Sequence, residues 1–479
     1  MPRPRATQPE KKELAILLAA FLLSRLLLPW FGIHLHYEAL FKYWQYLDTT
    51  TLRDNLLHGV WFDHAQPPFF NLLLGLVLKF SGNHAPLVFS LLLKGISLAN
   101  CLLLYNVLKR TIPHRSLPIL LTLFYLLSPS LMILENELFY TTLISGFLLL
   151  SAFFITRLQE SAHGQTPRRQ WIDITGAMLP LVLLCLTRSM YHLVWLLAIS
   201  IILIFALRRT TAFRRLIGAS LFCLVLVTGW YVKNYVIFGQ FSTSSWIGMN
   251  MARTVFRGET IKDSTRIEAY MPFSDLYLYK PFLTENTRAK YGGLDDRDLL
   301  SATKNDSIKN LHDVDYIEIS KKYMAASKAY VTSHPITYLK NVFLSCIIFF
   351  APTTRYQYAE IEAVKIRYYD LLYSFNLSEL AESMRQRKIA LLLSAIPKML
   401  IYLAVGFILL RYTIRQKKIS PLLLFAAATI GYVFVTSSFF EHYENMRFRY
   451  EIEPLFLLLL GQALWILTDH IRQRKEAAL

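Results

Sequence analysis

Long uninterrupted apolar segments dominate the chain, and most polar residues lie between them. These segments are apolar almost all round, without the period of 2 or 3.6 that marks a half-exposed strand or helix. They comprise residues 14–28, 87–108, 191–207, 216–238, 389–410 and 422–440. Most are long enough to cross the roughly 30 Å of hydrocarbon in a bilayer as helices. Because lipid offers backbone groups no other partner, the pattern predicts an all-α polytopic membrane protein.

Two apolar runs are shorter, residues 69–80 and 338–350. Runs of this length cross a bilayer poorly, so each is expected to form a re-entrant or half-crossing helix. A local departure from the usual charge asymmetry of membrane proteins is the alternative. Counting the long segments and the shorter runs, we expect about 10 to 13 transmembrane helices.

Charge supports a membrane topology. The chain has 51 Lys and Arg against 33 Asp and Glu, and the basic residues cluster at the ends of the apolar segments. This clustering is typical of the cytoplasmic side of a membrane protein and predicts no nucleic-acid partner. Basic residues precede residues 14–28 and no small-residue cleavage site follows, which indicates an uncleaved first span with a cytoplasmic N-terminus. The four cysteines lie in or beside apolar runs and are expected to be packing residues.

The order of apolar and polar stretches predicts three parts. Residues 1–238 form an N-terminal membrane core that includes a first outer loop at 31–67. Residues 239–388 are mainly polar and form a small soluble cap on the outer face, with the dipping segment 338–350 inside it. Residues 389–479 return to transmembrane helices.

The first outer loop offers candidate chemistry close to the membrane boundary. Glu38 follows closely on the first span, where partial desolvation would raise the pKa of a carboxyl group toward the range of a general base. Asp48 and Asp63 are alternatives of lower rank. As structure, the loop is expected to be an interfacial helix followed by a helix that begins at the Pro67-Pro68 pair.

Arg188 interrupts two apolar runs and therefore needs an anionic partner, since a charge at membrane depth costs about 3 kcal/mol or more. Two partners are open. One is an internal ion pair with Glu135 or Glu137, which are expected on the same face. The other is a phosphate of a lipid carrier.

The segment 441–454 holds a dense charged cluster directly before an apolar run. Arg447 and Arg449 are two residues apart, so a helix would split them between faces and an extended chain would align them. Either geometry gives one arginine to a phosphate and the other to a structural ion pair. The histidines and Asp63 of the first loop match no tight metal-ligand spacing, so no cofactor is certain and a divalent metal ion is left open.

Four motifs together resemble the GT-C class of polytopic glycosyltransferases, particularly the bacterial protein O-mannosyltransferase and aminoarabinose transferase family. The first is the acidic outer loop ending in HAQPPFFN at residues 64–71. The second runs from SP at 128–129 to ENELFYT at 135–141. The third is KNYVIFGQFSTS at 233–244 continuing to WIGMN at 246–250, and the fourth is ENMRFRY at 444–450 with Pro454.

The resemblance implies a GT-C-like fold and an inverting transfer of a sugar from a polyprenyl-phosphate donor to a glycan, lipid or protein acceptor. It implies a bacterial plasma-membrane enzyme embedded among membrane lipids, with Glu38, or Asp48 after it, as catalytic carboxylate. Relatives often have an acidic pair where this chain has Tyr37-Glu38.

The matched motifs and the interrupted apolar run at Arg188 together give the residues expected to bind the donor phosphate or the substrate. They are Arg188, Arg447, Arg449, His64, Gln66, Glu135 and Tyr450. A multi-span transporter or lipid flippase is the rival interpretation, although transporters favour broken helices and a midplane site. A non-catalytic membrane scaffold is a second rival.

Overall fold

A computed structural model describes residues 11–160, 166–257, 297–305, 307–374, 388–416, 420–441 and 443–478. Nearly all of them are helical. The helices up to residue 238 are α1 (Lys11–Leu27), α2 (Ala39–Lys42), α3 (Thr49–Asp54), α4 (Leu56–Phe62), α5 (Pro68–Ser81), α6 (Ala85–Thr111), α7 (Leu117–Leu126), α8 (Pro129–Leu134), α9 (Thr141–Glu160), α10 (Pro167–Thr187), α11 (Leu193–Ala206) and α12 (Phe213–Phe238).

The remaining elements include one short hairpin. They are α13 (Ile247–Phe256), α14 (Arg297–Leu300), β1 (Thr303–Lys304), β2 (Ile308–Lys309), α15 (Asp315–Ser333), α16 (Pro335–Phe350), α17 (Gln357–Lys365), α18 (Arg367–Tyr373), α19 (Lys388–Gln416), α20 (Pro421–Phe440) and α21 (Asn445–Ala478). The two strands pair antiparallel, with Thr303 opposite Lys309.

Within the described residues, eight helical segments are long and apolar enough to cross a membrane. They are α1 with the turn after it, α5 together with α6, α9, α10, α12, most of α19, α20, and α21. Three shorter apolar helices, α7, α11 and α16, accompany them. The predicted all-α polytopic architecture is confirmed, and the predicted 10 to 13 crossings are reached only if the shorter helices also cross.

Local sequence signals place several helix ends. Pro68 occupies the first turn of α5, where its missing N–H would have no partner anyway. The side chain of Ser128 caps α8 by accepting a hydrogen bond from the Leu131 N–H at 3.0 Å. Helix α12 ends at Gly239, whose φ of 67° suits glycine. Each of these ends lies within or beside a motif noted in the sequence.

One end of the helix bundle is held by ion pairs among basic helix termini. Lys109 at the end of α6 pairs with Glu13 at the start of α1, with Nζ and the carboxylate 2.8 Å apart. Arg110 pairs with Glu160 at the end of α9 at 2.7 Å. These contacts place the start of α1 and the ends of α6 and α9 on the same side of the bundle.

Residues between 246 and 342 form a second apolar cluster, which includes Trp246, Met249, Tyr316 and Tyr323, whereas residues 348–366 pack into the main helical core. Helices α13 and α15 are close neighbours there. A Cβ added at Gly248 would overlap the carbonyl oxygen of Ser320, so only glycine allows the two helices to approach this closely.

Replacing Gly248 with Ala is expected to destabilise the protein by about 1–3 kcal/mol, because the added methyl group forces α13 away from α15. Thermal unfolding of the detergent-purified protein measures the effect. Gly229→Ala is the matched control, since a Cβ there meets nothing within 4 Å. Equal unfolding temperatures for the two variants would contradict the close-packing explanation.

Candidate functional site

A cavity of about 730 Å³ lies where helix ends from distant parts of the chain meet. The first loop, the start of α9, the link between α10 and α11, residues 242–253 and the junction of α20 with α21 all contribute. Its lining residues include Trp44, Gln45, Gln66, Tyr140, Arg188, Ser189, His192, Val194, Ser242, Thr243, Ser244, Trp246, Ile247, Asn250, Arg253, Gln357, Tyr358, Tyr432, Thr436, Phe440, Glu441, Glu444, Arg447 and Phe448. Arg188 and Arg447, which are distant in sequence, both line this cavity.

The cavity lies at the end of the bundle opposite the basic helix termini. Tyr140 directly precedes α9, a helix of 20 residues that spans about 30 Å at 1.5 Å per residue. The other end of α9 carries Arg157 and pairs with Arg110. Arg188 likewise follows the last residue of α10, whose first turn holds Arg168 and Arg169. The basic connections and the cavity are thus about one membrane thickness apart.

Two nearly buried arginines and one partly exposed arginine contribute positive charge. Arg447 donates one hydrogen bond to Glu444 at 2.6 Å, while its Nε and Nη1 atoms have no partner in the described structure. Arg188 pairs with Glu451. Burial and the neighbouring Arg447 lower the pKa of Arg188 to about 10, so it remains charged at neutral pH. The unpaired Arg447 donors leave room for an anion.

Two carboxylates at the junction of α20 and α21 face these arginines. Arg253 Nη1 lies 3.5 Å from Glu444 and 3.9 Å from Glu441. Burial, and then repulsion by Glu444, raise the pKa of Glu441. Burial opposes ionisation of Glu444 too, but Arg447 and Arg253 outweigh it and lower the pKa of that group. Neighbouring carboxyls whose pKa values move apart in this way are suited to acid–base roles.

The first-loop carboxylates lie outside the cavity lining. Glu38 is exposed and forms an ion pair with Lys42, and this hydrogen bond lowers the pKa of the Glu38 carboxyl. The direction is opposite to the rise expected from desolvation at the membrane boundary. Asp48 is buried as the N-cap of α3, where it accepts the N–H groups of Thr50 at 2.8 Å and Asn305 at 2.7 Å.

His64 and Gln66 are separated by the cavity wall. Gln66 lines the cavity, whereas His64 is buried behind it. The His64 ring contacts the Ser245 hydroxyl and the His312 carbonyl oxygen, both at 2.9 Å. Burial lowers the pKa of His64 to about 4, so the ring is neutral and holds the loop in place.

The remaining predicted residues form structural contacts. Glu135 accepts two hydrogen bonds from Arg25 at 2.8 and 3.0 Å. Arg449 binds Glu453 and also donates to the Thr353 hydroxyl at 2.7 Å. Neither Glu135, Arg449 nor the buried Tyr450 is part of the cavity lining.

The internal partner expected for Arg188 requires a correction. Its carboxylate partner is Glu451 and not Glu135 or Glu137. Glu135 is occupied by Arg25, and Glu137 accepts hydrogen bonds from His36 and Tyr43. Glu451 is buried two turns into α21, and α9 packs against both α10 and α21, so the pairing depends on how these three helices assemble.

Sequence reasoning missed two residues of the charged side. Arg253 lies in α13, in a polar stretch where no local pattern distinguished it from other basic residues. Glu441 stood in the charged cluster 441–454 but received no role. Its position at the immediate end of an apolar run was the available signal, because such a carboxylate is partly removed from water.

Metal ligation was left open by the sequence. Over the ranges that the structure describes, no group of three or more His, Cys, Asp or Glu side chains could hold a metal ion. The two cavity carboxylates do not fit a divalent cation well, since Arg253 lies within 4 Å of both.

No family model and no curated protein matches the chain. Similar solved structures include the archaeal oligosaccharyltransferase AglB from Archaeoglobus fulgidus in complex with an inhibitory peptide and a dolichol-phosphate. It has 13% identity and a TM-score of 0.49, covering 98% of this chain and 52% of that chain. A second structure of the oligosaccharyltransferase from this organism, with Zn and sulfate, has 10% identity and a TM-score of 0.43, covering 95% and 50%.

ArnT from Cupriavidus metallidurans, bound to undecaprenyl phosphate, has 12% identity and a TM-score of 0.34, covering 94% of this chain and 77% of that chain. This chain spans about half the length of the two archaeal chains. The matched proteins are GT-C glycosyltransferases, the class that the four sequence motifs resemble. All three TM-scores lie below 0.5, so the likeness to these structures does not assign an activity to this chain.

The Arg25–Glu135 pair is expected to be structural. Glu135→Gln should destabilise the protein by about 3–5 kcal/mol, because it leaves the Arg25 charge buried without a counter-ion. The double variant Arg25→Met/Glu135→Gln should recover most of that loss in thermal unfolding. Binding of any ligand that occupies the cavity should be the same in the double variant as in the wild type. A double variant that unfolds at the wild-type temperature but no longer binds the ligand would indicate that Glu135 contacts the ligand.

Proposed function

We propose that this protein is a membrane glycosyltransferase that takes a sugar from a polyprenyl-phosphate-type lipid donor and transfers it to an acceptor hydroxyl with inversion. One observation carries the proposal. The residues Arg447 and Glu441 both line the cavity; Arg447 Nε and Nη1 form no hydrogen bond with any described group, and Glu441 Oε2 has only Arg253 near it, 3.9 Å away. An anion would satisfy the first and a hydroxyl group the second. A phosphate-linked sugar and its acceptor supply both.

Three arginines are suited to hold the phosphate. Arg447 and Arg188 are almost fully buried, and Arg253 reaches the cavity from α13. Guanidinium groups bind phosphate oxygens through paired, charge-assisted hydrogen bonds. Because the site is removed from water, these interactions are stronger than they would be at an exposed surface.

The transfer is a single displacement at the anomeric carbon. The acceptor oxygen attacks that carbon and forms the new glycosidic bond, while Glu441 takes the hydroxyl proton. The bond between the anomeric carbon and the phosphate oxygen breaks on the opposite face, and its electron pair stays on the departing polyprenyl phosphate. Arg447, Arg188 and Arg253 stabilise the negative charge that develops there.

Apolar residues at helix ends support a lipid-linked donor. Val194, Ile247 and Phe440 line the cavity yet have 64%, 52% and 37% of their surface exposed. They begin or end α11, α13 and α20, three helices at the membrane boundary. An apolar side of this kind lets a polyprenyl chain remain in lipid while its phosphate enters the cavity.

Glu441→Gln is expected to reduce transfer by at least about a hundredfold while leaving donor binding nearly unchanged, because the amide cannot accept the proton. Transfer of a radiolabelled sugar from a polyprenyl-phosphate donor by the purified protein measures this. Glu38→Gln is the paired variant and is expected to keep activity, since Glu38 lies outside the cavity lining. Loss of activity in Glu38→Gln with activity retained in Glu441→Gln would indicate that the general base lies in the first loop.

The same assay has a pH signature. Burial raises the pKa of Glu441 to about 7, and only the ionised carboxylate accepts a proton. The kcat/KM value should therefore rise with pH through about 7 and then level off. A profile that is flat from pH 5 to 9 would remove Glu441 from the mechanism. Tight binding of the lipid phosphate without any transfer would instead favour a lipid transporter.

The positive-inside rule assigns the cavity to the outer face, opposite the basic termini. Reporter fusions at residues 112 and 160 are expected on the cytoplasmic side and a fusion at residue 300 on the other side. Because Arg110 contacts Glu160, the reporters at 112 and 160 are expected on the same side of the membrane. Reporters at 160 and 300 on the same side would contradict the assigned face.

A further inference from the structure

One wall of the cavity carries no charged side chain. It is formed by the first loop and residues 242–250, and we call it the neutral wall: Trp44, Gln45, Gln66, Ser244, Trp246 and Asn250. The arginines and glutamates of the cavity come from other segments, apart from Arg253 one turn beyond Asn250. The two sides therefore present different chemistry to a ligand.

Hydrogen bonds fix the backbone of the neutral wall. The Ser244 hydroxyl donates to the Ala65 carbonyl oxygen at 2.6 Å, and the Trp246 indole N–H donates to the Leu311 carbonyl oxygen at 3.2 Å. His312 contacts the Trp44 carbonyl oxygen at 3.0 Å. These groups already have partners, so they shape the wall without needing a ligand.

One polar atom of the neutral wall remains unsatisfied. The side-chain oxygen of Gln45 is buried and has no hydrogen-bond partner in the described structure. A buried acceptor left in this state costs about 1–3 kcal/mol, which a ligand donor would recover. A sugar hydroxyl is such a donor, and the adjacent residue in sequence, Trp44, also lines the cavity and is 37% exposed.

A charged sugar would fit the neutral wall poorly. An ammonium group there would have no carboxylate among the six residues, and the carboxylates elsewhere in the cavity, Glu441 and Glu444, already face Arg253 and Arg447. A carboxylate group would face the Gln45 oxygen without a cation among the six residues. Burying an unbalanced charge costs several kcal/mol. The nearby Asp63 carboxylate is already bound by His312, with the two side chains 2.9 Å apart.

We propose that the neutral wall is the subsite for the transferred sugar, and that this sugar is uncharged, with neither an amino nor a carboxyl group. The inference rests on the proposed function. The sugar hydroxyls bond to Gln45 and its neighbouring amides while the phosphate remains with the arginines. A site built around hydrogen bonds to hydroxyl groups discriminates strongly against substrates that cannot supply them.

Competition binding tests the inference with the full-length protein in lipid nanodiscs. A fluorescent polyprenyl phosphate is displaced by bare polyprenyl phosphate or by its glucose, glucosamine and glucuronic acid derivatives. The glucose derivative is expected to bind at least tenfold more tightly than either charged derivative. Equal or tighter binding of a charged derivative would overturn the inference.

A variant tests the role of Gln45 directly. Gln45→Glu adds a carboxylate to the neutral wall and is expected to shift the preference at least tenfold from glucose toward glucosamine. Gln416→Glu, the same change at an exposed position at the end of α19, should leave the preference unchanged. An unchanged preference in a folded Gln45→Glu variant would overturn the assignment of Gln45, and the wild-type comparison stands if that variant does not fold.

The two proposals fail in different ways. If the glucose derivative binds best but no sugar is transferred to any acceptor, the uncharged-sugar subsite stands and the glycosyltransferase proposal falls. If transfer occurs equally well from glucose, glucosamine and glucuronic acid donors, the enzyme assignment stands and the subsite inference falls.

Discussion

Burial of guanidinium groups beside the lipid is the constraint on which the cavity depends, since each buried charge needs an anion. Helix α21 and the residues just before it meet most of this need. Glu444 binds Arg447, and Glu451 binds Arg188 from the end of α10. The second pair joins segments that are 263 residues apart in sequence. The same ion pairs that stabilise the packing therefore bring two arginines to one cavity.

Helical geometry then decides which arginine faces the ligand. Residues two apart in a helix point to nearly opposite sides, and α21 is already helical from Asn445. Arg447 consequently lines the cavity, while Arg449 turns toward Thr353 and Glu453. The sequence left helical and extended geometry open at this point. The helical backbone at this point therefore makes Arg447 the candidate phosphate ligand and leaves Arg449 in a structural ion pair.

The parts of this arrangement that depend on local sequence could be predicted, and those that depend on packing could not. The long apolar segments fix the spanning helices, and the polar helix ends indicate where a site could form. The partner of Arg188 could not be read from the sequence, because it depends on how α9 packs against both α10 and α21. Glu38 lies outside the cavity lining, and Lys42, four residues later, already suggested a solvent-exposed pair.

The distinction between satisfied and unsatisfied polar groups explains why this cavity can bind a ligand without losing its shape. One ring nitrogen of His312 lies 3.0 Å from the Trp44 carbonyl oxygen, and the other lies 2.9 Å from the Asp63 carboxylate. These contacts hold His312, from residues 239–388, against Trp44 and Asp63 of the first loop. Because the other polar groups that shape the wall are already hydrogen-bonded, Arg447 Nε and Nη1, Glu441 Oε2 and the Gln45 side-chain oxygen, which form no hydrogen bond in the described structure, remain available to a ligand. Their chemistry, an anion next to hydroxyl groups, is that of a phosphate-linked sugar.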